Sequence, residues 1–312
     1  MTFIDWFAGA GGFRLGMEQA GHKCIGFCEN DKFAVMSYTA MHLASREQME
    51  YIKSLSFKQR QKEILKDEYR NGEWYADDVG RVYSGDIPKA DCWCFGFPCQ
   101  DISIAGKQKG FKGSRSSLFF RIMYLIGQLK EENKPDVLFI ENVKNLLSIN
   151  RGFDFAGLLV CLDENGYDAE WEVLNSKEFG VPHNRERVFI IGHLRGRNRR
   201  KIFPVGGTKE QNCIIQVGMK KSRRKNPNSC RLYSIQGISP ALRTSSGGMH
   251  MPLWQIGERY RKATPRECFR LQGWPDEYFE KAALVNSESQ LYKQAGNGVT
   301  APVVKAIGEK LI

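Results

Sequence analysis

Apolar residues in this chain come in short buried-looking runs separated by amphipathic stretches. Residues 2–7 form a strand-length run. A glycine-rich turn follows, then a helical stretch over 14–20 that stops at Gly21. Residues 24–28 read as a second strand and 33–42 as a helix. Residues 82–87 read as a short third strand and 91–95 as a fourth. A helix over 118–129 leads to a fifth strand over 135–140. A helix over 155–165 stops at Gly166, and strands at 170–174 and 188–193 follow. Strands alternating with helices predict an α/β domain with a doubly wound, mainly parallel sheet.

Two stretches break the pattern. Residues 45–75 are polar and charged with few apolar positions, which predicts a helical insertion of about 45–81 on the surface. After Leu194, arginines and lysines recur almost unopposed by acids, with Gly and Ser among them through Gly248. This predicts a separate small module over 195–262, irregular or β-rich. Order returns at Thr264-Pro265, an N-cap followed by proline at the first helical position. The expected organisation is thus 1–194, 195–262, and a return over 263–312 that ends in a helix over 299–312.

Composition narrows the class. A chain of 312 residues can bury a full core and carry a second domain. The net charge of +11 suits a polyanionic partner, because much of it collects in the 195–262 module, where phosphate backbone is the natural ligand. Met1-Thr2-Phe3-Ile4-Asp5 has no basic leader, and no apolar run is long enough to span a bilayer. The nine cysteines lack zinc-knuckle spacing, so free thiols in a reducing cytoplasm and no metal are expected.

Candidate chemistry sits at the expected strand ends, where open α/β sheets keep their ligand crevice. Gly9 and Gly11 let a backbone approach a ligand at a helix amino terminus. Their spacing is not the dinucleotide one, since Arg14 falls where a third glycine is needed. Glu29 ends the second strand, where an acid holds a ribose diol. Cys99 follows the fourth strand after Gly96-Phe97-Pro98. Glu141 ends the fifth, and Arg185 and Arg187 share one face of an extended segment. The loop 101–117 directly after Cys99 is long for a connection and is a natural lid.

These residues occur in a distinctive order: Phe7-Ala8-Gly9-Ala10-Gly11-Gly12, Glu29-Asn30-Asp31, Gly96-Phe97-Pro98-Cys99-Gln100, Glu141-Asn142-Val143, Arg185-Glu186-Arg187, Arg266 to Gly273, and Gln294-Ala295-Gly296-Asn297. The chain closely resembles the bacterial DNA cytosine-5 methyltransferases of restriction–modification systems, over nearly its whole length apart from 45–81 and the basic module. The resemblance implies a Rossmann-like, doubly wound S-adenosylmethionine-dependent methyltransferase domain, with 195–262 as target recognition domain and duplex DNA as partner. By family position Phe7, Gly9, Gly11 and Gly12 line the cofactor pocket. Glu29 and Asn30 lie at the ribose, Asp86 and Ile87 flank the adenine, and Pro98, Leu118, Asn297 and Val299 complete the pocket. S-adenosylhomocysteine is the product. The enzyme is expected as a cytoplasmic monomer, with a cognate restriction endonuclease as a further cellular partner.

The expected chemistry follows from cytosine itself. Carbon 5 is a poor nucleophile until another group adds at carbon 6. Cys99 as thiolate is the candidate for that addition. Glu141, if protonated, can donate to ring nitrogen 3. Arg185 and Arg187 can hold the base carbonyl and nearby backbone while favouring the thiolate. The base must leave the stack to be reached. Gln100, Ser103 and Lys107 are candidate DNA contacts near the flipped base. Arg231 and Arg243 are candidates for reading guanine or for holding phosphate. There are two departures from the family pattern. His183 stands where many relatives have glutamine, and is expected to pack rather than catalyse. Ala241 replaces the threonine of the usual Thr-Leu pair. Cytosine-5 methylation of tRNA, or an inactive DNA-binding regulator, are the competing readings. The intact Cys99, Glu141 and arginines argue against the second.

Overall fold

A computed structural model describes residues 1–97, 118–197, 200–208, 213–220, 230–243 and 251–311. The chain opens with β1 (Thr2–Trp6), α1 (Gly12–Gln19), β2 (Lys23–Cys28) and α2 (Lys32–Tyr38), which runs on as a π-helical turn over Thr39–Leu43. Next come α3 (Arg46–Ser54), α4 (Phe57–Glu63), β3 (Trp74–Ala76), β4 (Cys92–Gly96), α5 (Leu118–Gln128), β5 (Val137–Val143) and α6 (Phe153–Glu164). Then follow β6 (Tyr167–Asn175), β7 (His183–Asn184), β8 (Glu186–Leu194), β9 (Gln216–Met219), β10 (Arg231–Ser234), β11 (Ser239–Pro240), β12 (Leu253–Ile256) and β13 (Arg259–Lys262). The helices α7 (Pro265–Leu271), α8 (Asp276–Val285), α9 (Glu288–Asn297) and α10 (Ala301–Gly308) finish the chain.

The seven-stranded sheet has the order β3-β2-β1-β4-β5-β8-β6. Strands β3 to β5 are parallel neighbours, while β8 is antiparallel to both β5 and β6. The order reverses between β1 and β4, so the crevice outside their carboxyl ends is the switch point of a doubly wound fold. Alternation along the strands makes two cores. Ile4, Trp6, Trp93, Phe95, Leu138 and Ile140 face Phe119, Ile122 and Leu158 of α5 and α6. Phe3, Cys92, Cys94 and Phe139 face Met17 of α1 and Val303, Val304 and Ile307 of α10. A β-carbon on Gly16 would lie 2.5 Å from Val304 Cβ, so the last helix lies directly on the first. The chain's end therefore completes the layer its beginning starts.

The third strand is not where the sequence pattern puts it. Ser84–Asp86 is a 3₁₀ turn, and β3 lies earlier, at Trp74–Ala76, inside the stretch assigned to the insertion. Its aromatic residues explain this. Trp74 packs edge-on against Trp6 and closes over Gly26, where a side chain would meet it at 2.8 Å. Parallel pairing then sets Gly26 opposite Trp74 and Cys28 opposite Ala76. Only α3 and α4 behave as the expected helical insertion. Both begin with capping boxes, and Met49, Ile52 and Ile64 pack against Met36 and Val285.

In the basic stretch β9, β10, β12 and β13 form a four-stranded sheet in the order β13-β12-β10-β9, a β-rich module as expected. Strand β11 leaves that sheet and pairs instead with β7. Thr264 caps α7 with a full capping box and Pro265 is its first residue, as read from the sequence.

Candidate active site

A cavity of about 480 Å³ opens at the switch point. Its floor is the turn after β1. Phe7 adopts φ 54 there, a left-handed conformation rare outside glycine, and Gly9 follows at φ 56. Strain of this kind concentrates at ligand sites. Gly11 precedes α1 at φ 90, and a β-carbon on it would strike the His42 ring at 2.4 Å. A β-carbon on Gly12 would meet Val299 at 2.8 Å. The turn is therefore a cradle that side chains would fill. Gly11 supports it from behind rather than lining the cavity.

The walls come from the other strand ends. Glu29 braces the cradle: its carboxylate accepts from Gly9 N–H at 2.8 Å and from Asp31 N–H at 2.7 Å. Burial raises the Glu29 pKa, while these N–H groups work against that. Asp31 pairs with Lys293 of α9 at 2.7 Å, tying the second strand's tip to the carboxyl-terminal return. Asn30, Leu118, Asn297 and Val299 line the cavity. Asp86 and Ile87 do not. The residues that line the adjoining wall are Asp77, Asp78 and Val79, which directly follow β3. The displaced third strand explains the correction, because the site residues of a parallel sheet follow the strand's carboxyl end. Asp78 turns the chain there by accepting from Gly80 N–H at 2.8 Å.

Glu141, Arg185 and Arg187 line the same cavity as Phe7, Gly9, Gly12 and Glu29. Register explains the place of Glu141, since β4 and β5 pair Gly96 with Glu141. A β-carbon at 96 would lie 3.1 Å from Glu141 Oε2. Glu141 Oε1 lies 3.0 Å from Arg187 Nε, yet out of hydrogen-bonding line, so this buried oxygen has no donor among the described residues. Asn142 donates to Phe97 O at 2.8 Å and holds the chain where it leaves β4.

The two arginines part company. Arg187 faces Glu141 and the cavity. Arg185 is 3% exposed, and its guanidinium donates to Gly298 O at 2.8 Å and to Gly296 O and Leu242 O at 3.4 Å. Burial and the charge of Arg187 push its pKa down to about 9. Of the two expected tasks, Arg185 holds backbone. Gln272 assists it, donating to Ala295 O and Gly298 O at 2.8 and 3.1 Å, and accepting from Thr300 at 2.7 Å. Gln272 lies within the 266–273 motif, and its role shows only once the fold brings Ala295, Gly298 and Thr300 against it.

Pro98, Cys99, Gln100, Ser103 and Lys107, and the loop expected as a lid, lie outside the described residues. Arg231 and Arg243 lie away from the cavity walls, in β10 and just after β11. No group of three or more potential metal ligands occurs among the described residues, and no helix among them is long and apolar enough to cross a membrane.

The cradle and volume suit a nucleoside-sized ligand. Glu29 at the β2 tip suits its diol. These features fit S-adenosylmethionine. Comparison with known proteins agrees. The model of the family "C-5 cytosine-specific DNA methylase" matches residues 1–229 and 209–312. The Type II methyltransferase M.Bsp6I of Bacillus sp. is 30% identical over 344 residues, spanning 100% of this chain and 98% of the relative. M.HhaI of Haemophilus parahaemolyticus is 31% identical over 340 residues, 98% of this chain and 93% of the relative. Among solved structures, S. pombe Dnmt2 methyltransferase superposes with a TM-score of 0.69 at 16% identity, covering 100% of this chain and 97% of that one, which speaks to the fold alone.

Proposed function

This chain belongs to the C-5 cytosine-specific DNA methylase family and is a DNA cytosine-5 methyltransferase, and on that premise we propose that it acts on a flipped cytosine in duplex DNA through a covalent adduct with Cys99. The observation that carries this reading is Glu141: a buried carboxylate oxygen without a hydrogen-bond donor among the described residues, on the wall of a cavity it shares with the glycine cradle. The Arg187 charge 3.0 Å away offsets part of the cost of burying this oxygen but gives it no aligned donor, which leaves room for a ligand group to complete it.

When bound, S-adenosylmethionine supplies the electrophilic methyl group and leaves as S-adenosylhomocysteine. Phe7, Gly9, Gly12, Glu29, Asn30, Leu118, Asn297 and Val299 hold it. Asp78 and Val79, rather than Asp86 and Ile87, flank the adenine, a reading supported by their place on the cavity wall. Cys99 Sγ, as thiolate, adds to carbon 6, and the electron pair displaced from the 5,6 bond makes carbon 5 nucleophilic. Glu141 shares a proton with ring nitrogen 3 as charge builds there. Arg187 turns from Glu141 to the base carbonyl. Arg185 keeps the Gly296–Gly298 turn in place. After methylation a base, for which bound water serves, takes the carbon-5 proton and Cys99 leaves, restoring the ring. The module over 195–262 reads the duplex with Arg231 and Arg243. Pro98 completes the cofactor pocket, and Gln100, Ser103 and Lys107 contact the DNA.

Duplex DNA bearing 5-fluorocytosine at the methylated position tests this, because fluorine blocks loss of the carbon-5 substituent. Mass spectrometry is expected to find a stable DNA adduct on the Cys99 peptide. Failure to trap any adduct counts against covalent catalysis, and methyl transfer to RNA with none to duplex DNA counts against the substrate.

A further inference from the structure

His183 is fully buried, 0% exposed, and does not line the cavity. Its imidazole bridges two parts of the chain distant in sequence. Nε2 accepts from Leu242 N–H at 3.1 Å, which leaves the ring proton on Nδ1, 3.1 Å from Leu271 O. Strand β7, which carries His183, pairs in parallel with β11, with Ser239 opposite His183 and Pro240 opposite Asn184. Ser239 N–H also donates to Pro182 O at 2.7 Å. Two residues on, Arg185 donates to Leu242 O. The same face of one extended segment, running from β7 to Arg185, thus holds both the N–H and the C=O of Leu242, whose side chain is buried among Met251, Phe269 and Leu271. The next residue, Arg243, is exposed and has no carboxylate partner among the described residues.

We propose that His183 is a positioning residue that locks the segment carrying Arg243 in register with this extended segment, and thereby sets how faithfully the enzyme discriminates its DNA sequence. The geometry makes His183 a bolt between the DNA-reading module, the extended segment that leads from β7 through Arg185 into β8, and the end of α7. A neutral imidazole suits this task because one nitrogen donates while the other accepts. Its loss leaves the Leu242 N–H and the Leu271 C=O buried without partners, so the segment shifts or frays. The inference rests on reading 195–262 as the DNA-recognition module.

The test compares full-length wild type with His183→Leu, His183→Asn and His183→Gln. The duplex substrate is chosen by bisulfite sequencing of a host that expresses the wild type, with single-mismatch duplexes alongside. Wild-type methylation of that duplex checks the duplex-DNA substrate separately; its failure indicts the proposed function and not His183. For His183→Leu the KM for DNA is expected to rise about tenfold and cognate-over-mismatch discrimination to fall about tenfold, with kcat and cofactor binding within about threefold. Gln spans both partners and restores wild-type values to within about threefold, while Asn, a methylene shorter, does not. Unchanged KM and discrimination in His183→Leu overturn the proposal. So does an equal loss of kcat and cofactor affinity in all three variants, which marks mere packing. If His183→Leu does not fold, Gln and Asn carry the test, and equal discrimination by those two overturns it.

Discussion

In the seven-stranded sheet, β1 and β4 are buried nearly end to end and their tips carry the site. In the four-stranded sheet, β13 is exposed at all four residues and β9 at three of four. The first sheet makes its own core, with helices on both faces. That stability tolerates a buried Glu141 oxygen with no hydrogen-bond donor among the described residues and a left-handed Phe7 at its edge. The second is held from outside. Leu242, Met251 and Ala263 sink into the cluster of α7 to α9, and the segment entering it is strapped down, with Ile202 and Phe203 N–H donating to Glu170 and Val205 N–H to Glu172. Lys310 clasps the same strap through the carbonyls of Ile202 and Pro204. The cavity thus belongs to a scaffold that makes its own core, and the basic module to one that borrows its support.

The deepest cut across that division is Cys99→Ala. Methyl transfer is expected to drop by at least about a thousandfold, while duplex binding stays within a few-fold. Transfer of labelled methyl groups and gel-shift titration measure the two halves independently. A variant that methylates at the native rate breaks both the mechanism and the separation. Glu141→Gln comes next. It keeps shape and register opposite Gly96 but removes the shared proton, and kcat is expected to fall by about 10²–10³. Single-turnover kinetics check it, and DNA affinity should move far less than rate.

How much of this was legible from residues alone follows the same division. The glycine turn, Glu29, Glu141 and the paired arginines are local patterns at strand ends, and a parallel sheet gathers strand ends in one place whatever the helices between do. Their convergence on one cavity follows from alternation and topology. Strand β3 was missed because its evidence is tertiary: Trp74 and Tyr75 sit at the end of a charged stretch and become a strand only by covering Gly26 and pairing with β2. Val82-Tyr83 offered a better apolar signal and folded as a turn's approach instead. The division of labour between Arg185 and Arg187 was equally hidden. Both lie on one face, and only the approach of Gly298 and Leu242 decides which is spent on backbone.

The shifted strand gives a third, smaller expectation. Asp78→Ala is expected to weaken cofactor binding about tenfold, the scale of one lost hydrogen bond and a loosened turn. Asp86→Ala should leave it unchanged, because Asp86 does not reach the cavity. Isothermal titration with S-adenosylhomocysteine compares the pair, and the opposite ranking would restore the adenine-side role to Asp86.

The mildest effect tests how the borrowed sheet is fastened. Glu267 of α7 accepts from both Arg261 nitrogens at 2.7 and 2.8 Å and from the Thr264 N–H at 2.7 Å, so it joins the module's last strand to the first turn of the returning helix. Arg261, then the Thr264 groups, hold its carboxyl pKa down to about 2, against about 4.3 for a free glutamate. A group depressed on folding stabilises fully above its unfolded value and loses that contribution as pH falls through the folded one. Glu267→Gln keeps the shape and removes the charge. Its cost at pH 7 is expected to be about 1 kcal/mol, the scale of a helix cap plus a solvent-screened ion pair. That difference should hold down to about pH 5 and close between about pH 4 and 2. Urea denaturation of wild type and variant along that pH series reads it directly. A difference that persists at pH 2 would mean that packing, and not charge, joins β13 to α7.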